Sequence, residues 1–243
     1  MKNQLVDEIS GALGAIDSGG TFATELFAPS DDLDVRVDGV GRLRFPITTA
    51  HARKLSARAT PAPFGLGTET IHDPSVRDCG EIPRKAIHLD EARWSAALGT
   101  HLATIQRRLG LAESGVLEAV LDKMLIYGPG QFFLPHQDSE RADEMVGTLV
   151  VVLPSRHSGG AVTVTHGRST QRLAGRADDK HLALLAFYAD CRHAVEPVTT
   201  GHRVVLTYHL LRREPARLKS RARAREAAPP RARTTATDRL TRS

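Results

Sequence analysis

Three residues of this 243-residue chain, His136, Asp138 and His193, have the types and spacing to hold a reactive metal ion. Two imidazoles and one carboxylate form the ligand set of a facial-triad iron centre, which leaves coordination positions open for oxygen chemistry. His136 and Asp138 stand two apart in Phe133-Leu-Pro-His-Gln-Asp138, so on an extended strand both leave the same face and can reach one ion. His193 follows 57 positions later, in Phe187-Tyr-Ala-Asp-Cys-Arg-His193, which is room enough for the chain to run out and back through several strands. Ten positions beyond it, Arg203 heads the run Val204-Val-Leu-Thr-Tyr208. A guanidinium held inside a β-barrel by such a run requires an anion.

A lone His-x-Asp is weak evidence, and the chain carries its own control in His88-Leu-Asp90. Asp90 there precedes Glu91-Ala-Arg-Trp94-Ser-Ala-Ala-Leu98 and reads as a helix N-cap, with no flanking strand to aim two groups at a metal. His136 and Asp138 instead lie between β-type runs, Lys123-Met-Leu-Ile-Tyr127 and Gly147-Thr-Leu-Val-Val-Val-Leu153.

The elements that must position these residues can be laid out from the pattern. Leu5, Ile9, Leu13 and Ile16 predict an amphipathic first helix ending at Ser18-Gly-Gly20. Residues 33–37 and 40–45 flank Asp38-Gly39 and predict a hairpin, and residues 50–58 a short helix. Residues 61–83, rich in Gly, Pro, Asp and Thr, predict a long irregular segment over the mouth of a pocket. Trp94, Leu98, Leu102, Ile105 and Leu109 trace one face of a longer helix expected to pack on the outside of a sheet. Eight strands are then predicted at 121–127, 131–136, 146–153, 160–165, 169–173, 182–188, 193–198 and 203–210. The fold class is mainly β with flanking helices (α+β), and eight antiparallel strands in two facing sheets make a jelly roll. The predicted division is an amino-terminal helical and hairpin region over 1–115 packing on the core, a catalytic domain over 116–211, and a basic tail over 212–243.

Residues from about Leu121 to Leu210 resemble the catalytic domain of the prolyl 4-hydroxylase-like branch of the Fe(II)/2-oxoglutarate dioxygenases. Tyr127 stands nine before the first ligand, followed by the His136-x-Asp138 pair, His193, and Arg203 ten beyond it. Gly147-Thr-Leu-Val-Val-Val-Leu-Pro154, Gly159-Gly160, Thr165-His-Gly167 and Tyr188-Ala-Asp-Cys-Arg-His-Ala-Val-Glu-Pro-Val198 extend the likeness to a bacterial and fungal subgroup. Pro63-Phe-Gly-Leu-Gly67 and Ser75-Val-Arg77 do the same upstream. One departure is Ser139-Glu140 after Asp138, where the subgroup carries Thr-Glu-Lys.

The resemblance implies a double-stranded β-helix in which His136, Asp138 and His193 hold Fe(II). It implies that 2-oxoglutarate pairs its distal carboxylate with Arg203 and accepts a hydrogen bond from Tyr127, with ascorbate an optional reductant. The reaction implied is hydroxylation of an aliphatic C–H, such as a prolyl position in a protein or peptide, with release of succinate and CO2. Asp138 stands where related halogenases have no carboxylate, which favours hydroxylation. His166 and Arg77 are candidate substrate contacts. The bland alternatives are a hydrogen-bonded structural histidine for the first and an exposed loop charge for the second.

Composition sets further bounds. A content of 41% apolar residues supports a sizeable core. No run of 18 or more apolar residues and no leader pattern supports a membrane or secretory route, and Cys79 and Cys191 are too few for a disulfide framework, so the expected compartment is the cytosol. Cys191 shares strand parity with His193 and lies either near the metal or in the core as a buried thiol. Residues 212–243 carry eleven Lys or Arg against three Asp or Glu, whereas residues 1–211 carry 22 against 25. The basic pI therefore belongs to the tail, which lacks apolar periodicity and is expected to be disordered. A nucleic acid is expected to bind, if at all, only through this tail. The substrate is a protein, a peptide or a small molecule. Two other classes compete: a cupin-like metalloenzyme that does not use 2-oxoglutarate, for which Arg203 would have no use, and a non-catalytic module with a polyanion-binding tail.

Overall fold

The computed structural model describes residues 19–66, 69–138 and 144–213. The chain divides into two units, Met1–Arg213 and Glu214–Ser243. The expected first helix and nearly all of the expected tail lie outside the described residues.

Two antiparallel sheets form the core. The larger runs in the order Ala23–Pro29, His181–Tyr188, Met145–Val152, Arg203–Arg213, Val116–Tyr127, Gly80–Pro83, Thr60–Pro61. The smaller runs Ser169–Leu173, Val162–His166, Arg192–Val195, Phe132–His136, Arg77–Asp78. From residue 116 onward the chain passes back and forth between the two sheets, with Val162–His166 and Ser169–Leu173 as a hairpin within the smaller one, which is the jelly roll. His157–Gly159 and Val198–Gly201 pair with each other and extend two of its turns. These were not separate strands in the sequence pattern, because each is short and broken by glycine.

The central strands of the larger sheet are apolar on both faces, and alternation decides which core each residue enters. Met124, Ile126, Leu149, Val151, Val204 and Leu206 point to one side, where they pack with the long helix. Leu125, Tyr127, Val150, Val152 and Val205 point to the other, between the sheets, where Val162, Val164 and Val195 of the smaller sheet meet them. Arg203 has this second parity, so the apolar run places its guanidinium inside.

The helix Glu91–Arg108 covers the outer face, burying Trp94, Leu98, Leu102 and Ile105. Asp90 caps it, accepting a hydrogen bond from the Arg93 N–H, and His88 pairs with Asp38, so the second His-x-Asp is structural. Trp94 Nε1 donates to the Tyr208 hydroxyl at 3.0 Å, fixing the helix to the sheet. The shorter helix Thr49–Arg58 is capped by Thr48. The hairpin is present as Val35–Val37 with Gly41–Arg42, and Ile87–Leu89 adds a third strand.

The region before residue 116 is more than an attachment. Ala23–Pro29, Thr60–Pro61 and Gly80–Pro83 enter the larger sheet and Arg77–Asp78 the smaller one, so a boundary at 115/116 separates motifs but not sheets. Where the sequence predicts an irregular segment over 61–83, the structure has short strands, including the pair Phe64–Leu66 and Glu69–Ile71. The strand that opens the predicted tail also continues, to Arg213, whose Nε donates to Glu118 at 2.8 Å. No helix among the described residues is long and apolar enough to cross a membrane.

Candidate active site

His136 and His193 are far apart in sequence but are cross-strand partners in the smaller sheet. Their ring centres lie 4.1 Å apart. Asp138 follows the end of its strand, and one of its carboxylate oxygens, Oδ1, lies 3.7 Å from His136 Nε2 and 3.8 Å from His193 Nε2. One ligand atom from each residue falls within 4.8 Å of the other two, and no other such cluster occurs among the described residues.

Each ligand is aimed by a second contact. His136 Nδ1 donates to the Leu134 carbonyl at 2.9 Å and His193 Nδ1 to the Cys191 carbonyl at 3.4 Å, which leaves both Nε2 atoms facing the same point with lone pairs exposed. The Thr148 hydroxyl, from the opposite sheet, donates to Asp138 Oδ2 at 2.7 Å and turns Oδ1 toward the imidazoles. Phe133 stacks on His136 and Phe187 packs 4.5 Å from His193.

The protonation states suit a dication. Burial, then the neighbouring His193, pushes His136 down to about 3, and burial likewise lowers His193, so both imidazoles are neutral near pH 7. Burial alone would raise the Asp138 carboxyl, but the facing His193 and the Thr148 hydrogen bond outweigh it and hold the group ionised. Two neutral nitrogen donors and one carboxylate thus converge where a divalent cation balances the charge.

A cavity of about 320 Å³ runs from this cluster between the sheets. Leu125, Val150, Val162 and Val195 line it, with Tyr127 and Arg203 as polar groups on the same wall. Arg203 is 1% exposed, and its Nε and Nη2 have no hydrogen-bond partner among the described residues. Burial without a counter-charge lowers its affinity for its proton, yet a guanidinium keeps it, so the side chain is a buried cation awaiting an anion. Its guanidinium carbon lies 5.6 Å from the centre of the Tyr127 ring. Burial raises the Tyr127 phenol and keeps it protonated as a donor. Donor set and orphaned guanidinium fit Fe(II) and an anionic cosubstrate.

The remaining sequence candidates separate. Arg77 lines the cavity. His166 does not: it is exposed, stacks on Phe22 and pairs with Asp190 at 3.3 Å, as the structural alternative has it. Cys191 is fully buried in the core between the sheets, its thiol facing the Phe22 carbonyl. His202 lies outside this cavity, beside Thr48 and Arg156.

Thr148, Phe133 and the Asp122-Lys123 pair escaped the sequence reading. Thr148 was visible as the single hydroxyl in an apolar run. Asp122 and Lys123 are consecutive yet both line the cavity, because a bulge between Leu121 and Lys123 shifts the alternation.

Residues 123–210 match the 2OG-Fe(II) oxygenase superfamily. Solved structures with a similar course include a Pseudomonas putida prolyl-4-hydroxylase, 19% identical, with 80% of this chain and 94% of that chain covered and a TM-score of 0.47. A Trichoplax adhaerens prolyl hydroxylase in complex with a hypoxia inducible factor peptide fragment is 13% identical, with 92% and 96% covered and a TM-score of 0.46. No curated protein matches the chain by sequence. Residues 123–210, which hold His136, Asp138, His193 and Arg203, are therefore similar to the 2OG-Fe(II) oxygenases over the segment that builds this site.

Proposed function

We propose that the protein is an Fe(II)- and 2-oxoglutarate-dependent dioxygenase that hydroxylates an unactivated aliphatic C–H, with His136, Asp138 and His193 as the iron ligands and Arg203 and Tyr127 as the cosubstrate site. The observation that carries the reading is the buried, unpartnered Arg203 in the cavity that opens onto the three convergent ligand atoms. Fe(II) and 2-oxoglutarate supply the oxidising power: one O2 converts 2-oxoglutarate to succinate and CO2 and leaves one oxygen atom in the substrate as a hydroxyl.

The chain's own residues bind, orient and exclude. His136, Asp138 and His193 would hold the ion, with Thr148 fixing the carboxylate. The planar Arg203 fork suits the distal carboxylate of 2-oxoglutarate, and the protonated Tyr127 hydroxyl would donate to the same group. The apolar walls keep bulk water from the reacting centre. A cupin-like enzyme without 2-oxoglutarate gives the orphaned guanidinium nothing to do. The sequence resemblance names a prolyl position in a protein or peptide as one such C–H. We place the protein in the cytosol, where ferrous iron and the two unpaired cysteines stay reduced.

Succinate release with Fe(II) and 2-oxoglutarate, with and without peptides and lysate fractions, tests the reading. Arg203→Ala is expected to weaken 2-oxoglutarate by at least about 100-fold, since it removes one partner of a buried ion pair, while Fe(II) binding stays. Loss of iron with unchanged 2-oxoglutarate affinity would overturn the assignment of Arg203.

A further inference from the structure

Three cationic side chains line the cavity, and two of them have their anions. Lys123 Nζ lies 3.1 Å from Glu81 Oε2 and 3.5 Å from Asp122 Oδ2. Arg203 is the partner of 2-oxoglutarate in the reading above. Arg77 is the third.

Arg77 belongs to the edge strand next to Phe132–His136, and the register sets it opposite Phe133. Its guanidinium carbon sits 4.5 Å from the centre of the Phe133 ring, on which the His136 imidazole also stacks. The cation and a candidate metal ligand thus share contact with one aromatic ring. A terminal nitrogen donates to the Pro63 carbonyl and anchors the group, but the buried Nε has no partner. Among the described residues no carboxylate forms an ion pair with it. The Cys79 thiol beside it is no substitute, because burial raises its pKa and keeps it neutral. Tyr127, Glu81 and Asp138 feel its charge from further off, and beside the Phe133 ring it covers, Phe64 and Val195 add apolar surface to the cavity wall.

A fixed guanidinium with its Nε edge free matches a carboxylate, which takes two parallel hydrogen bonds, better than it matches a neutral amide. The apolar surface beside it suits an aliphatic skeleton. The geometry points to Arg77 as the anchor for a carboxylate of the substrate, and hence to aliphatic carboxylic acids, as a free amino acid or a peptide C-terminus, as the substrate class. This inference rests on the Fe(II)/2-oxoglutarate reading of the same cavity.

The test uses matched pairs of acid and primary amide: free leucine, valine and proline, their N-acetyl derivatives, and the alanyl dipeptides of each. With the wild-type protein, Fe(II) and 2-oxoglutarate, at least one acid is expected to stimulate succinate release, and its amide to need about tenfold or more higher concentration for the same effect. The free and dipeptide arms tell an amino acid from a peptide terminus. Arg77→Gln, which keeps a donor for the Pro63 carbonyl, should abolish the preference for acid over amide, and Arg77→Lys should retain part of it. The Kd for 2-oxoglutarate, measured by direct binding, should move less than about twofold in both, a split that general damage to the fold does not produce. Equal stimulation by acid and amide, or stimulation by none, overturns the inference. So does a rise in the 2-oxoglutarate Kd of Arg77→Gln, which would place Arg77 on the cosubstrate. A wild-type protein that makes no succinate under any addition refutes the dioxygenase reading itself, a separate and distinguishable result.

Discussion

His136 and His193 use the same device: each donates Nδ1–H to the carbonyl two residues earlier in the chain, so that Nε2 points into the cavity. The candidate set His136, Asp138 and His193 could be proposed from the sequence because a close His-x-Asp pair and a distant histidine define it without tertiary detail, although Asp138 lies just past the end of the strand that carries His136. What aims them was not, since Thr148 reaches Asp138 from the opposite sheet. The same holds for Gly160, which packs against Arg203. A Cβ there would lie 2.7 Å from Arg203 Cδ, and its φ of +71° is one that L side chains rarely adopt. Gly160→Ala is therefore expected to cost about 1–2 kcal/mol from the backbone alone and to raise the Kd for 2-oxoglutarate while leaving Fe(II) affinity unchanged. Calorimetric titration of both ligands checks this, and an unchanged 2-oxoglutarate Kd would mean that Arg203 can shift without consequence.

Long strands and helices could be read from periodicity alone, whereas the two- to four-residue strands between 60 and 83 could not. Thr60–Pro61, Arg77–Asp78 and Gly80–Pro83 exist because finished sheets offer them unpaired edges, a tertiary effect that outweighs local propensity. The bulge before Lys123 is equally invisible locally, yet it puts two charges on the cavity face. The helix Glu91–Arg108 shows the reverse case, with Trp94, Leu98, Leu102 and Ile105 one turn apart and buried as their spacing requires. Trp94 is 3% exposed and hydrogen-bonds Tyr208. Trp94→Ala is expected to lower stability by about 3–5 kcal/mol, seen as a reduced denaturation midpoint. Iron affinity should remain, because the helix packs on the face of the sheet away from the ligands.

At the scale of the molecule, the jelly roll brings strands from distant parts of the sequence together at one cluster, with Arg203 buried in the same cavity. Residues 214–243 form a separate unit, and the residues up to 211 carry none of the chain's net positive charge. A chain ending at Arg213 should therefore convert 2-oxoglutarate to succinate at the full-length rate, and a chain that folds but makes no succinate would show that the tail takes part. His136, Asp138 and His193 are expected to hold one iron together. The most direct test is anaerobic titration of Fe(II) into the wild type and into His136→Ala, Asp138→Ala and His193→Ala. One tight equivalent per wild-type chain, weakened at least about tenfold in each variant, is the predicted result. Wild-type affinity in His193→Ala would contradict it.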